Sequence, residues 1–205
     1  MRNLLVILLL LLPIKMQAQR DTLHVRPEAL AGSLLFSGGA LVSFYPRLHQ
    51  YEIDFHDAMG LSEVRKQPFD DVLQFVPLSA PLVMSLVGLE WEHTTGQIAL
   101  LSATACLIGQ AMVESAKYFY HVERPDGQAF NSFPSGHTYI AFTGADILRR
   151  EYGRRYPWLP YVGYGVAALV GAMRVYNSRH WPSDVLAGAG IAFLSVGFTY
   201  WLYGK

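Results

Sequence analysis

The sequence predicts an all-α fold, an integral membrane bundle of about five to six helices, and three observations predict it. Hydrophobic residues make up 52% of the 205 residues and charged residues only 16%, well under the quarter usual for soluble domains. Four uncharged runs, Val72 to Leu89, Gly96 to Val113, Trp158 to Met173 and Val185 to Tyr203, approach the ~20 residues that a helix needs to cross a bilayer. The last run ends in Tyr200, Trp201 and Tyr203, aromatic side chains of the kind that settle at the membrane–water boundary.

In chain order, the first element is a short export signal. Arg2 precedes nine apolar residues, Leu4 to Leu12, and the stretch closes on the small residue Ala18. A basic start, a short apolar core and a small end are the parts of a secretory signal. The run is too short to span a bilayer, so residues 1–18 read as a signal peptide, with an uncleaved anchor reaching through Ile14 as the alternative. Residues 19–205 then form one membrane domain. Ala29 to Pro46 is uncharged but rich in Gly and Ser. Arg47 to Asp71 is a polar connection, partly helical, in which Asp70 and Asp71 begin the next helix. Thr138 to Leu148 is short and holds Asp146. Gly163, Gly165, Gly171, Gly188 and Gly190 lie inside apolar runs, where small residues let neighbouring helices approach closely. Zero net charge gives no electrostatic case for nucleic acid as a partner. The single cysteine, Cys106, forms no internal disulfide and reads as a small core residue.

Orientation follows from arginine. Arg149, Arg150, Arg154 and Arg155 cluster between two apolar segments, and the positive-inside rule places that loop in the cytoplasm. The loops on either side, around residues 119–136 and 174–183, then face the opposite way. A full crossing by Ala29 to Pro46 reverses that parity, whether the signal is cleaved or kept. Four arginines in one loop outweigh one glycine-rich stretch, so Ala29 to Pro46 reads as re-entrant or as lying against the bundle.

Both outward loops are rich in polar groups, which are costly at a membrane boundary unless paired or functional. Lys117, Arg124 and Arg174 are three cations able to converge on one polyanion, and arginine's planar fork suits phosphate. Pro134, Ser135 and Gly136 precede an apolar run. A helix starting there offers free backbone N–H groups to an anion, and Gly136 lets the backbone come close. His180 and Asp184 are four residues apart, one helical turn if Pro182 starts a helix. A carboxylate on one imidazole nitrogen leaves the other free to attack. His137, on the other loop, can protonate the departing oxygen. Each piece alone is an ordinary turn or helix pair; in fixed order they are specific.

These three blocks resemble those of the type 2 phosphatidic acid phosphatase superfamily, which includes bacterial acid phosphatases and vanadium haloperoxidases. Lys117, Arg124 and Pro125 match its first block, Pro134 to His137 its second, and Arg174, His180 and Asp184 its third. Met173 stands where the family usually has serine. The resemblance covers about residues 70–203. It implies that His180 is the nucleophile, Asp184 its orienter and His137 the general acid. Lys117, Arg124, Ser135, Gly136 and Arg174 would hold the phosphate. It also implies no metal and no cofactor, in line with the lack of a carboxylate cluster near the motifs in the sequence.

The function expected is a membrane phosphatase acting on a lipid phosphate or pyrophosphate through a phosphohistidine. Undecaprenyl pyrophosphate, phosphatidylglycerol phosphate, phosphatidic acid and a lipid A phosphate are the candidate substrates. The expected location is a bacterial inner membrane, with the site facing the periplasm. Two alternatives stand beside it. A vanadium-dependent haloperoxidase would use the same anion pocket, but those proteins are soluble. A non-catalytic phospholipid-binding protein would not require a nucleophile and an acid. His121 reads as exposed, Arg179 as a solvated loop cation, and Trp181 as packing under His180 or at the interface.

Overall fold

A computed structural model describes residues 26–63, 67–89 and 92–203; the export signal read at residues 1–18 lies outside these. The described residues form helices α1 (Pro27–Phe44), α2 (Pro46–Ala58), α3 (Phe69–Leu73), α4 (Phe75–Leu86), α5 (Thr95–Tyr120), α6 (Gly136–Tyr152), α7 (Leu159–Tyr176) and α8 (Pro182–Leu202). One 3₁₀ turn, Leu61–Glu63, follows α2, and no strand occurs among the described residues. The fold is an all-α membrane bundle. Its long components are α1, the α3–α4 pair, α5, α6, α7 and α8.

Local chemistry places the helix ends. Pro27, Pro46 and Pro182 open their helices, where the missing N–H costs nothing. Tyr45 is extended because it precedes Pro46, and that conformation both ends α1 and turns the chain into α2. At α5, Thr94 and Gln97 form a reciprocal cap, with Gln97 N–H on Thr94 Oγ1 at 3.4 Å and Thr94 N–H on Gln97 Oε1 at 3.0 Å. The same helix ends at His121, whose φ of 45° closes it in the left-handed region.

Residues 27–44, 69–86, 95–120 and 182–202 are long and apolar enough to cross a membrane by length and composition. Their outer faces are apolar: Leu34, Val83, Leu86, Leu100 and Leu107 are all exposed, the arrangement a lipid solvent requires. The third apolar run of the sequence, Trp158 to Met173, is α7. Helix α6 carries Asp146, Arg149, Arg150 and Glu151 yet lies at the centre, packed by α4, α7 and α8. Its inward face joins Tyr139, Ile147 and Ala145 to three apolar clusters, and its charges are internally paired.

Of the two readings of Ala29 to Pro46, the re-entrant one is not found: α1 is one continuous helix to Phe44 that lies against the bundle, antiparallel along α8. A Cβ on Gly32 would stand 3.0 Å from the Gly190 carbonyl, and one on Gly39 would stand 2.5 Å from the Ser183 carbonyl. The two backbones touch at both ends of the pair, the approach that small residues permit. Glu28 at the start of α1 contacts Arg149 at 3.1 Å, so α1 begins at the arginine-rich end and finishes at the opposite end. The glycines that argued against a span are the helix contact itself. Of the glycines read as packing residues, Gly171, Gly188 and Gly190 meet close neighbours, Gly163 lies against Leu148, and Gly165 faces open space.

Candidate active site

At the end of the bundle away from the arginines, the α5–α6 loop, the α7–α8 loop, α2 and α3 meet. The two motif loops are joined through Asp184. The Ser135 amide donates to the Asp184 carbonyl at 3.0 Å, and Ser132 Oγ donates to Asp184 Oδ2. Ser135 caps α6: its Oγ accepts from Thr138 N–H at 3.4 Å and Thr138 Oγ1 at 2.9 Å, as N-cap serines do. Both bonds use the Ser135 oxygen as acceptor, which leaves its O–H free to donate. One turn into α8, a Cβ on Gly188 would lie 2.5 Å from the Ser135 carbonyl. Glycine there is what lets α8 approach the loop. Beneath it, Phe133 is fully buried among the rings of Phe36, Phe44 and Tyr120.

His180 and Asp184 are 2% and 0% exposed. Helix α8 begins at Pro182, and Asp184 Oδ2 accepts the Trp181 N–H at 2.8 Å, so the carboxylate caps its own helix. His180 Nδ1 lies 3.5 Å from that same oxygen, longer than a full hydrogen bond. Both His180 Nδ1 and Asp184 Oδ1 are buried without a hydrogen-bond partner. Burial, reinforced by the charges of Arg174 and Arg124, pushes the His180 imidazole down to about 4 against the pull of Asp184. At neutral pH the ring is uncharged, the form that can attack.

The three cations converge as expected. Lys117 Nζ lies 3.8 Å from where a Cβ on Gly136 would sit, which puts the ammonium over the start of α6. Arg124 is anchored by its Nε to Asn131 Oδ1 at 2.9 Å. Its ionisation is lowered by burial and by the nearby Arg174 and Arg179, as expected of cations gathered without their anion. Arg174 is buried, donates through Nη1 to Asp70 Oδ2, and keeps a buried Nε with no partner. Buried guanidinium N–H groups are normally satisfied, so this one is exceptional.

Helix α3 adds what the sequence reading did not expect. The motifs seemed free of any carboxylate cluster, but α3 brings two carboxylates to them. Asp70 holds Arg174 and accepts from Asn177 Nδ2 at 3.0 Å. Asp71 Oδ1 pairs with His137 Nε2 at 2.9 Å and stands 3.5 Å from Arg174 Nη1. Asp70, Asp71 and His137 each present a ligand-type atom within 4.8 Å of the others. Arg174 lies against both carboxylates.

Helix α2 is the second contribution missed. Glu52 is buried; it accepts Ser183 N–H at 2.7 Å and Ser183 Oγ at 2.9 Å, and meets His49 Nδ1 at 3.0 Å. It therefore serves as an anionic partner to the first turn of α8. His56 Nε2 contacts Ser178 Oγ at 2.9 Å. Trp181 is buried between the rings of His49 and His56 and donates Nε1 to the Glu123 carbonyl at 2.9 Å. Arg179, read as a solvated cation, instead bridges the loops to Asp126 Oδ2 at 3.3 Å. His121 is exposed, as expected.

A family model described as the PAP2 superfamily matches residues 98–205. The chain belongs to the PAP2 superfamily. Lipid A 1-phosphatase of Porphyromonas gingivalis is 37% identical over 182 residues, 87% of this chain and 40% of that protein. Undecaprenyl-diphosphatase of Sulfolobus acidocaldarius is 44% identical over 69 residues, 32% of this chain and 32% of that protein. The chain thus spans well under half the length of these curated relatives. A transmembrane PAP2 type phosphatidylglycerolphosphate phosphatase from Bacillus subtilis, solved by crystallography, shares the fold with a TM-score of 0.63 at 19% identity, over 85% of this chain and 94% of that one. The family match begins at residue 98, so the PAP2 motifs lie within it while α2 and α3 precede it.

Proposed function

We propose that this PAP2 protein is a membrane lipid phosphatase that works through a phosphohistidine at His180, without a metal. The observation that carries the reading is the joining of the two motif loops at Asp184. It places a neutral buried imidazole beside three cations and the open end of α6. The similarity to a lipid A 1-phosphatase and to an undecaprenyl-diphosphatase supports a lipid phosphate as substrate.

The steps balance on the residues present. A phosphate dianion binds Lys117, Arg124, the free Arg174 Nε and the backbone N–H groups of Gly136 and His137. Asp184 faces Nδ1 of His180, which leaves Nε2 to attack phosphorus. The P–N bond forms as the bond to the leaving oxygen breaks, and that oxygen takes the proton of His137. His137, now neutral, accepts a proton from water. The hydroxide attacks phosphorus, and the P–N electron pair returns to His180.

Orientation belongs to the same reading. With α1 crossing fully, Pro27 and the arginine loop share one side, so a cytoplasmic arginine loop puts the site on the periplasmic side of a bacterial inner membrane. Cleavage after Ala18 would release the new terminus on the periplasmic side, and eight residues cannot recross a bilayer. Cleavage, or a crossing by residues 1–18, is therefore incompatible with an outward site, and the four arginines favour an outward site with residues 1–18 neither removed nor crossing. A cysteine in place of the exposed Phe130 should react with an impermeant thiol reagent in intact cells; protection would reverse the orientation.

The decisive assay is phosphate release by purified protein in detergent, with EDTA, across a panel of lipid phosphates. Release should persist in EDTA and fall by at least about a thousandfold in His180→Ala. Loss of activity on chelation would refute metal independence, and undiminished turnover in His180→Ala would refute the mechanism.

A further inference from the structure

Asp71 is 61% exposed at the mouth of the site, paired with His137. Its neighbours on α3 and at the start of α4, Phe69, Val72 and Phe75, are exposed apolar side chains. Resting on the phosphatase reading above, His137 marks the side from which the leaving group departs. In a lipid phosphate the leaving group carries the tails, and the apolar surface of α3 flanks that side. The carboxylate of Asp71, bonded to His137 and open to solvent, therefore stands beside the leaving group.

We propose that Asp71 is a specificity-determining residue that selects phosphomonoesters, whose leaving group is an uncharged alcohol, over diphosphates. The chemistry is a matter of charge. A sugar or glycerol alcohol brings hydroxyl donors or no charge at all, and a carboxylate accepts from hydroxyls. A diphosphate presents a second phosphate at that position, and like charges a few ångströms apart repel. While His137 holds its proton it offsets the charge of Asp71; the offset is lost as that proton passes to the leaving group, and the remaining cations do not restore it. Arg174 is already shared by Asp70 and Asp71, and Arg179 is held by Asp126 and Gln128. Lys117 and Arg124 are assigned to the phosphate under attack.

The test compares two soluble substrates that differ in leaving group, dioctanoyl phosphatidate and farnesyl diphosphate. The proteins are wild type, Asp71→Asn, Asp71→Glu and His180→Ala in detergent. Wild type should prefer the phosphatidate. In Asp71→Asn the ratio of kcat/KM for diphosphate to that for monoester should rise about tenfold, and Asp71→Glu should restore it. The wild-type preference should also weaken as ionic strength rises, because the residue is exposed and its charge is screened; a purely structural role would not respond to salt. A ratio unchanged in Asp71→Asn, or equal losses on both substrates, would overturn the assignment while leaving the phosphatase reading intact. No release from either substrate by folded wild-type protein, or undiminished release by His180→Ala, would instead overturn the phosphatase reading.

Discussion

The two ends of the bundle both bury ionised side chains, and they treat them differently. At the arginine-rich end the charges are matched. Asp146 accepts from Arg149 Nε at 2.8 Å, Arg150 Nε at 2.9 Å and the Tyr164 hydroxyl at 2.8 Å. Glu151 takes His93 Nδ1 at 2.9 Å and the Tyr200 hydroxyl. One unbonded atom there, Arg150 Nη2, lies 3.9 Å from Glu28, and its guanidinium sits 4.8 Å from the Tyr200 ring centre. At the other end, Arg174 Nε, His180 Nδ1 and Asp184 Oδ1 are buried without partners. Buried polar groups are normally satisfied. The buried hydroxyls of Ser33, Ser43, Ser102 and Thr143 also lack partners, so what sets this end apart is that its unmet atoms belong to ionisable groups of the motif loops.

The widest separation of the two ends comes from matched amides. Asp184→Asn keeps an acceptor for Ser132 and the Trp181 amide but no longer holds His180 in its attacking tautomer. Turnover should fall by about a thousandfold or more, on the scale of other buried carboxylate–histidine pairs, with thermal stability little changed. Asp146→Asn should do the reverse. Two arginines lose a buried counter-charge, so stability should drop by about 2 kcal/mol or more, while turnover per folded molecule holds. Thermal melts and kinetics on both proteins decide it. A stable, active Asp146→Asn would mean that the arginine end does not rely on that charge.

A milder change tests whether α2 serves the site. Glu52→Gln keeps one acceptor for Ser183 and loses the charge facing the first turn of α8. We expect kcat to fall about tenfold with KM unchanged, because α8 carries Asp184 but none of the phosphate-binding cations. A raised KM with kcat unchanged would assign Glu52 to substrate binding instead.

The reach of the sequence follows the same division. The three motif blocks picked out His180, Asp184, His137 and three cations that the fold gathers at one end of the bundle, because residue type and spacing are visible in one dimension. Pro182 and Ser135 marked the helix starts that position them. What was hidden was contact between distant segments. Asp70 and Asp71 read as helix-start residues, and nothing in the chain says that α3 docks on Arg174 and His137. Glu52 and His56 sat in a polar connection whose docking on Ser183 and Ser178 is a tertiary fact. Ala29 to Pro46 was left open because its crossing conflicted with the parity set by the arginine loop; that its glycines are the contact with α8 is again a tertiary fact.

The smallest expected effect concerns protonation rather than rate. His180 is held near 4 mainly by burial, so as pH falls from neutrality its ring should remain neutral past 6.5, where an ordinary histidine charges. Only toward pH 4 should it take a proton and cease to be a nucleophile. Activity profiles are a poor reporter, because the second ionisation of a phosphate lies near 6. Nitrogen-labelled histidine NMR on phosphate-free protein reads the ring directly, with His180→Ala identifying its signal. Arg124→Gln removes one of the two cations that oppose protonation, so the titration should move upward by a fraction of a unit. Burial, the larger cause, would keep it well below 6.5. A His180 signal that titrates at 6.5 in the wild-type protein would mean that water reaches the ring freely, and that the loops do not close around it as described.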